Sequence, residues 1–352
     1  MIHGMERYEI EEFCRSIGTP GYRADQIWRW LYIQGVSAWQ SMKNLPVSLR
    51  DALAARFELE AIVPLKTEGK PGDTQKILVG LNDGEQIEEV LIPAQGRRTV
   101  CVSTQVGCRY RCAFCTSGQS GFMRNLEAGE IVEQVMLGAR TWSTEPSGKA
   151  QSEVSCGPTH VVFMGIGEPL DNYDAVLKSV RIINDTIGLN IGARRITIST
   201  CGIIPGIKRL MEEGIQVELS VSLHTPNNAL RTKLMPVNRK YPLAELIETC
   251  RAYTEKTGRI ITFEYALICG VNDSRHDMET VAELLRSFPC RVNLIPLSPV
   301  EKYDGRSSSP ATANRFMEVL GRIHINATLR SSKGASLKAA CGQLRAGRSN
   351  AV

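Results

Sequence analysis

The stretch Cys108-Arg-Tyr-Arg-Cys112-Ala-Phe-Cys115 places three cysteines within eight residues, in the spacing C-x3-C-x2-C. Cysteine thiolates are the usual ligands of iron–sulfur clusters, and a cluster with four irons normally takes four of them. A loop that supplies only three leaves one iron with an open position, where a substrate can bind. Because Gly118 and Gly121 follow the triplet, the pattern favours a cluster over three ordinary buried or redox cysteines.

The composition is that of an ordinary globular protein, with 352 residues, 43% hydrophobic and 22% charged, and a net charge of +5. No apolar run reaches the roughly 20 residues of a membrane span, and residues 1–8 lack the pattern of a signal peptide. We therefore expect a cytoplasmic protein without membrane contact. In that compartment the eleven cysteines favour metal or redox chemistry over a disulfide framework. The mild positive charge permits a polyanionic partner without requiring one.

Residues 1–63 are predicted to form a small helical domain. Apolar residues recur at helical spacing over Glu6–Ile17, Arg23–Gln34 and Leu45–Phe57. Tryptophans such as Trp28 usually belong to the core of such a bundle, but a basic, aromatic helical module also suits RNA binding. The two interpretations agree if the aromatic side chains are buried and arginines such as Arg29 face outward.

Residues 64–97 are predicted to connect this domain to the rest of the chain. Pro64–Thr74 is rich in glycine, proline and charge, which is typical of a linker. Gln75–Leu81 and Gln86–Ile92 have strand character, and the turn sequence Asn82-Asp-Gly-Glu85 between them predicts a hairpin.

From residue 98 to 330, strand-like and helix-like runs alternate. The predicted strands are Arg98–Thr104, Thr159–Met164, Arg195–Thr200, Glu218–Ser222, Thr262–Leu267, Arg291–Leu294 and Asn326–Arg330. The predicted helices are Glu127–Arg140, Asp174–Asn184, Ile204–Glu213, Leu243–Thr257, Asp277–Ser287 and Ala311–Leu320. This rhythm predicts an α/β fold of parallel βαβ units, and six units rather than eight predict an incomplete (β/α)6 barrel. Ser143–Pro158 is predicted to be a surface insertion, in which Cys156 has no role.

Polar residues and glycines follow several of these strands, where such a fold puts its site. Gly165-Ile-Gly167-Glu168 combines glycines, which let a ligand approach the backbone, with a carboxylate that suits an ammonium group. The other residues at strand ends are Ser199, Ser222, Leu223, His224 and Asn293. Each alone is usually structural, but their recurrence at successive strand ends favours a binding site.

Two further places hold reactive side chains. Glu88 and Glu89 are neighbours in a predicted strand, so at most one of them faces the cysteine loop, and either suits a solvated strand position equally well. In the tail, 331–352, Cys341 stands in Ala339-Ala-Cys-Gly-Gln-Leu344. It is either a small buried hydrophobe or a sulfur that its small neighbours admit to a tight pocket.

The sequence resembles the RlmN/Cfr family of radical S-adenosylmethionine (SAM) RNA methyltransferases, most closely its RlmN branch. The cysteine triplet indicates the superfamily, whereas CVSTQVG before it and AACGQL in the tail indicate the family. The matching stretches, which cover nearly the whole chain, are RADQIW (23–28), QIEEVLIP (86–93), CVSTQVGCRYRCAFC (101–115), GFMRNL (121–126), FMGIGEPLDNYD (163–174), ITISTCGIIP (196–205), SVSLHTPN (220–227), LMPVNRKYPL (234–243), VNLIP (292–296) and AACGQL (339–344).

The resemblance implies roles for individual residues. A [4Fe–4S] cluster would be ligated by Cys108, Cys112 and Cys115. The methionine end of SAM would be bound by Gly167 and Glu168. The rest of the SAM pocket would be lined by Ser199, Ser222, Leu223, His224 and Asn293. Cys341 would be the cysteine that is methylated, Cys101 its partner in a disulfide, and Glu88 an acid/base residue near the target adenine.

The implied reaction is methylation of carbon 2 of an adenine in 23S ribosomal RNA, with transfer RNA as a further substrate. Because that carbon is electron-poor, a radical route with two SAM molecules per turnover replaces methyl-cation transfer. The family also implies an electron donor such as flavodoxin or ferredoxin, and we expect a monomer. Methylation of carbon 8, as in the Cfr branch, a divergent paralogue, and a non-catalytic iron–sulfur RNA-binding protein stay open as alternatives.

The sequence departs from the family pattern in two places. Gly334-Ala-Ser-Leu-Lys338 replaces an acidic run that often precedes the terminal cysteine, and the insertion 143–158 is longer than expected. Neither change removes a residue to which the resemblance gives a chemical role.

Overall fold

The computed structural model describes residues 1–144, 157–286, 288–330 and 334–348. The N-terminal domain contains the three predicted helices, which are α1 (Arg7–Ser16), α2 (Arg23–Tyr32) and α3 (Val47–Arg56). Trp28 on α2 is buried and Arg29 beside it is exposed, so the expected arrangement of aromatic core and outward arginine holds there.

A buried carboxylate joins this domain to the body of the protein. Glu133 accepts hydrogen bonds from His3 Nδ1 at 3.0 Å and from the main-chain amides of Ala61 and Ile62 at 2.8 and 3.2 Å. Every oxygen of the carboxylate is therefore satisfied inside the protein, which is the condition for burying a charge at low cost.

The predicted linker is wrong over its first part. Ile62–Glu68 forms strand β1, which pairs antiparallel with β2 (Gln75–Leu81), and β2 pairs antiparallel with β3 (Glu85–Ala94). Most of β1 is exposed at the edge of the sheet. An edge strand tolerates Pro64 because no further strand needs its missing amide hydrogen, so the polar, proline-bearing sequence conceals a strand. The hairpin between β2 and β3 is confirmed.

The parallel part of the sheet begins with β4 (Arg97–Cys101), which pairs antiparallel with β3 and parallel with the next barrel strand. The strands after it are β5 (Gln105–Gly107), β6 (Phe122–Asn125), β7 (His160–Phe163), β8 (Ile196–Thr200), β9 (Glu218–Ser222), β10 (Ile261–Leu267), β11 (Cys290–Pro296), β12 (Asn326–Leu329) and β13 (Gly347–Arg348). The helices after α3 are α4 (Thr116–Gln119), α5 (Ala128–Thr144), α6 (Tyr173–Asn184), α7 (Ile204–Glu212), α8 (Asn228–Leu234), α9 (Leu243–Thr257), α10 (Arg275–Leu285) and α11 (Pro310–Gly321).

The strand order confirms an incomplete barrel. The parallel strands β4, β7, β8, β9, β10, β11 and β12 are neighbours in chain order, and within the described residues the sheet ends at β1 on one side and β12 on the other. The antiparallel strands β5 and β6 form a separate small sheet beside the cysteine loop. β13 returns the C-terminal tail to β3.

Alternation within the strands decides which side chains line the interior of the barrel. On β8, Ile196 and Ile198 are fully buried, whereas Thr197 and Ser199 between them are half-buried. Since successive residues of a strand point to opposite faces, one face of β8 packs on helices and the other faces the interior. In the part of the chain that the structure describes, no helix is both long and apolar enough to span a bilayer. Cys156 and residues 145–155 of the predicted insertion lie outside that part.

Candidate active site

The cysteine loop lies between β5 and α4 and is held by main-chain hydrogen bonds. The amide of Cys108 donates to the carbonyl of Gly121 at 2.9 Å, and that of Ala113 donates to Leu234 at 2.8 Å. Cys108, Cys112 and Cys115 are half-buried, carry free thiols and line one cavity of about 180 Å³. The three cysteines are thus presented together at one wall.

The donor set fits an iron–sulfur cluster better than a single ion. Burial, followed by the neighbouring Cys115 and Cys108, raises the pKa of the Cys112 thiol well above its usual value. Yet among the described residues no three histidine, cysteine or acidic side chains are grouped as a single metal ion requires. Thiolates that are neighbours without converging on one point suit a cluster, in which each binds a different iron.

The glycine–glutamate pair after β7 forms another wall of this cavity. Gly167 has φ +102°, and a Cβ there would lie 2.6 Å from the Cβ of Gln105, so only glycine fits. Glu168 accepts hydrogen bonds from the amides of Leu170 at 3.0 Å and Cys201 at 2.7 Å, and burial raises its pKa. These bonds fix the carboxylate in a dry wall, where a ligand ammonium would neutralise it.

The remaining predicted SAM residues divide into two groups. Ser199, Ser222 and His224 line the same cavity as the cysteine triplet. Nδ1 of His224 accepts a hydrogen bond from the amide of Ala266 at 2.8 Å, and burial, with a contribution from Arg231, lowers the pKa of His224 to about 3, so the imidazole is neutral.

Leu223 and Asn293 do not line this cavity among the described residues. Leu223 is fully buried, and Asn293 faces an adjoining cavity. The roles of Leu223 and Asn293 in the SAM pocket therefore stay predictions. Leu223 follows the end of β9 at Ser222, and the next residue, His224, has φ +57°, so Leu223 lies in a turn rather than in the strand.

The adjoining second cavity has a volume of about 570 Å³, and Cys101 lies in its wall. The residues that line both cavities are Met164, Glu264, Ile295, Ser298, Arg330 and Cys341. Cys341 therefore stands at the junction between the cysteine-triplet cavity and the Cys101 cavity.

Cys101 and Cys341 are both free thiols. Burial, with a contribution from Cys341, raises the pKa of Cys101 to about 12. Desolvation of the sulfur by the surrounding protein also raises the pKa of the Cys341 thiol, although the residue as a whole is exposed, and Arg330 opposes this increase. Both sulfurs are therefore protonated at neutral pH, with Arg330 as the cation that favours their thiolates.

Comparison with known proteins shows which family models, relatives and solved structures this chain resembles. A family model described as "Radical SAM superfamily" matches residues 102–285, and one described as "Ribosomal RNA large subunit methyltransferase N-terminal domain" matches residues 2–59. Proteins named "Probable dual-specificity RNA methyltransferase RlmN" from Moorella thermoacetica and Dictyoglomus turgidum are 47% and 46% identical, each over 98% of this chain and 96% of the relative. The crystal structure of a radical SAM methyltransferase from Sphaerobacter thermophilus is 46% identical, with a TM-score of 0.91, and the match covers 97% of this chain and 98% of that one.

The chain belongs to the RlmN family of radical SAM enzymes. It is accordingly an enzyme that uses a [4Fe–4S] cluster and SAM.

In this RlmN-family chain the tail is attached directly to the cysteine loop. The amide of Thr116 donates to the carbonyl of Gly342 at 2.7 Å, and Oγ of Ser117 donates to the carbonyl of Leu344 at 2.9 Å. Both donors lie in α4, immediately after Cys115. Two hydrogen bonds therefore fix Cys341 relative to the triplet.

Glu88 and Glu89 lie on opposite faces of β3, as predicted. Val90 pairs with Cys101 across β3 and β4, so Glu88 shares a face with Cys101 whereas Glu89 points toward the helices. Glu88 lies 3.0 Å from Lys76 Nζ and accepts the amide of Arg345 at 2.8 Å. It lines neither cavity. The proposed acid/base residue is therefore near the pair of thiols and is bonded to the tail.

Two further residues, Glu264 and Arg330, lie at the junction of the two cavities and were not predicted from the sequence. Glu264 is 4% exposed and its Oε1 accepts from Asn293 Nδ2 at 3.1 Å, whereas its Oε2 has no hydrogen-bond partner among the described residues. Arg330 Nη1 lies 3.9 Å from that Oε2 and 3.5 Å from Met164 Sδ. A carboxylate inside the apolar strand Ile261–Leu267 was the available signal, because an acid is rarely buried there without a role.

Proposed function

We propose that this protein methylates carbon 2 of an adenine in 23S ribosomal RNA, with transfer RNA as a second substrate. The observation that carries the proposal is the position of Cys341, at the junction of the cysteine-triplet cavity and the cavity lined by Cys101. An enzyme that only cleaved SAM would need the first cavity alone. The names of the relatives, dual-specificity RNA methyltransferases, support RNA as the substrate.

The residues divide the work between the two cavities. Cys108, Cys112 and Cys115 would hold the cluster, and Gly167 and Glu168 the methionine end of SAM. When bound, a first SAM supplies the methyl group, and the cluster with a second SAM supplies the one-electron chemistry that removes a hydrogen atom. The wall that contains Ser199, Ser222 and His224 would orient the nucleoside end of SAM. Asn293 would contact the nucleoside end of SAM from the second cavity.

Cys341 would act as the carrier of the methyl group. Its thiolate would take the methyl group from the sulfonium sulfur of SAM, which leaves as a neutral thioether. Once the carried methyl has lost a hydrogen atom, its carbon would bond to carbon 2 of the adenine, and the unpaired electron of the adduct would pass to the bound cluster. After the proton on carbon 2 has left, the Cys101 thiolate attacks the sulfur of Cys341. A disulfide forms, the sulfur–carbon bond breaks with its electron pair left on the base, and that carbon takes up a proton to become the methyl group of the released base.

Proton transfer at the adenine is assigned to Glu88, which shares a face of the sheet with Cys101. Its carboxylate lies 3.0 Å from Lys76 Nζ and would act as the general base that accepts the proton from the adenine. The target adenine has to be unstacked to enter a cavity, which favours a loop or junction of RNA. A small electron-transfer protein such as flavodoxin or ferredoxin would supply electrons to a monomer in the cytoplasm.

Mass spectrometry of nucleosides tests this proposal. The protein is reconstituted anaerobically and incubated with SAM, a reductant and a 23S RNA fragment or transfer RNA, with the Cys341→Ala variant as the control. We expect 2-methyladenosine from the wild type alone, together with 5′-deoxyadenosine. Formation of 8-methyladenosine would show that the enzyme methylates carbon 8 and not carbon 2. Absence of 5′-deoxyadenosine from protein with a full cluster would favour the non-catalytic RNA-binding alternative.

A further inference from the structure

The second cavity continues to the opposite end of the barrel from the cysteine loop. Cys101 and Cys341 lie at its inner end. At its outer end are residues from the starts of parallel strands, namely Arg97 on β4, His160 on β7, Arg194 just before β8 and Arg291 on β11. The amino ends of the strands therefore form a second way into the space beside the two reactive thiols.

The outer end of this cavity is strongly cationic. Arg97, Arg194 and Arg291, which we call the arginine rim, are all exposed. Within the described ranges no carboxylate lies at ion-pair distance from Arg97 or Arg194. Arg291 lies 3.9 Å from Glu218, a carboxylate that already forms a close ion pair with Arg259.

Neighbouring cations at this end act on one another. Burial, followed by Arg97 and Arg195, lowers the pKa of His160 to about 4. Burial, followed by Arg194 and Arg291, also lowers the pKa of Arg259. Glu218 is shared between Arg259 and Arg291, and the other cations at this end repel one another, so an anionic partner would gain from their charge.

The wall between the rim and the thiols is polar and roomy. Thr197, Ser220 and Thr262 line the cavity along its length, and their hydroxyls both donate and accept hydrogen bonds. A volume of about 570 Å³ lies within the roughly 300–1,000 Å³ of pockets that bind small organic groups. A single nucleoside fits such a space, whereas a folded protein segment does not.

We infer that the arginine rim binds phosphates of the RNA, so that the target nucleotide reaches Cys341 from the amino ends of the barrel strands. This inference rests on the proposed function and adds the direction from which the substrate enters. Arginine is suited to the task because its planar guanidinium forms bidentate hydrogen bonds to phosphate. The cluster and SAM would then occupy one side of Cys341, and the RNA base the other.

Binding of a labelled RNA hairpin with one adenine in its loop tests the inference. The affinity is measured by fluorescence anisotropy over a series of salt concentrations, with reconstituted protein. The rim variant carries Arg97→Gln, Arg194→Gln and Arg291→Gln. The control variant removes the same charge through Arg209→Gln, Lys233→Gln and Arg275→Gln, none of which lines either cavity. A third variant replaces the rim arginines by lysine.

The rim variant is expected to bind at least tenfold more weakly than the wild type. Its plot of log affinity against log salt is expected to be flatter by about 0.7 for each phosphate that the rim no longer neutralises. The control variant is expected to match the wild type, and the lysine variant to stay within a few-fold of it, since it keeps the charge. Equal affinity and equal slope for the rim and control variants would overturn the inference.

Arg194→Gln alone keeps the test valid if the triple variant fails to assemble its cluster. Arg194 precedes β8 and forms no side-chain hydrogen bond within the described residues, so its loss leaves the fold intact. If this substitution changes neither the affinity nor the salt slope, the inference that the arginine rim binds RNA phosphates is wrong. Failure of the proposed function looks different, because wild-type protein would then bind the hairpin through the rim without producing methylated adenosine.

Discussion

The carbonyl of Gly342 accepts a hydrogen bond from the amide of Thr116, with a nitrogen–oxygen distance of 2.7 Å. Gly342 follows Cys341, and Thr116 follows Cys115, so this single bond joins the neighbours of two cysteines that lie far apart in the sequence. On the proposed mechanism, the methyl carrier must hold one position relative to the cluster. This main-chain bond, together with the one from Ser117 Oγ to the carbonyl of Leu344, provides that constraint.

Gly342→Ala is expected to weaken this docking. Gly342 has φ +80°, and an added Cβ would lie 2.9 Å from the carbonyl oxygen of Phe114. A left-handed conformation costs a residue with a Cβ about 1–2 kcal/mol, so the docked tail should become roughly tenfold less populated. The rate of RNA methylation should fall by about that factor, with unchanged cluster absorbance.

Gly258→Ala is the matched control for this prediction. Gly258 has φ +65° but nothing within 4 Å of the added Cβ, and it ends α9 away from the tail. The Gly258→Ala variant has the same left-handed backbone strain as Gly342→Ala, but its added Cβ makes no contact with the cysteine loop. An equal loss of methylation in both variants would mean that general instability, not docking of the tail, limits the reaction.

Cys101→Ala is expected to stop the reaction after the carbon–carbon bond has formed. Without the second thiol, no disulfide can displace the RNA from Cys341, so protein and RNA should remain covalently joined. Denaturing gel electrophoresis of labelled RNA should show a slow band in Cys101→Ala. The band should be absent from the double variant with Cys341→Ala. Multiple turnover by Cys101→Ala would remove Cys101 from the mechanism.

Glu88→Gln separates proton transfer from docking of the tail. The amide oxygen of glutamine still accepts a hydrogen bond from Arg345 but cannot take a proton from the adenine. Methylation should therefore fall by about 100-fold or more, the usual contribution of a general base.

Lys76→Gln removes the ion pair to Glu88 and keeps the carboxylate. It is the control for Glu88→Gln, and we expect it to reduce methylation less than tenfold. If the two variants lose activity equally, the ion pair matters rather than the proton, and the assignment of Glu88 as an acid/base residue is wrong. Methylation is quantified from the transfer of labelled methyl groups to RNA.

Local patterns in the sequence were sufficient for most of the fold. The spacing of apolar residues in α2 predicts a helix and the alternation in β2 predicts a strand, and the structure has both. The edge strand β1 was missed because exposure on both faces removes the alternation on which strand prediction depends.

The candidate site was predictable only where a motif carries its own chemistry. The cysteine triplet is local, so its loop followed from the sequence. Whether Leu223 or Asn293 reaches a given cavity depends on how seven strands are arranged, and nothing local encodes that. Glu264 went unnoticed because its importance lies in an oxygen without a partner at the junction of two cavities, which only the packed structure shows.

Two buried glutamates should respond to substitution in opposite directions. Glu89 is fully buried, and in the part of the chain that the structure describes neither of its oxygens has a hydrogen-bond partner. Burial raises its pKa well above the usual value. A carboxyl whose pKa is raised by folding stabilises the protein below its ordinary pKa of 4.5, and this contribution is lost as the pH rises toward the folded-state value. Glu89→Met should therefore stabilise the protein at pH 8 by about 1–2 kcal/mol, a rise in the unfolding midpoint of a few degrees.

Glu133 supplies the contrast because its carboxylate is fully hydrogen-bonded to His3, Ala61 and Ile62. Glu133→Met leaves those three donors buried without partners, at a cost of about 1–3 kcal/mol for each, so the unfolding midpoint should fall by several degrees. Thermal unfolding of reconstituted protein, followed by circular dichroism at pH 6 and pH 8, measures both effects. The gain from Glu89→Met should be smaller at pH 6, since the wild-type carboxyl is closer to neutral there. If Glu89→Met lowered the midpoint at pH 8, Glu89 would have to be an ionised and stabilising group, contrary to its environment.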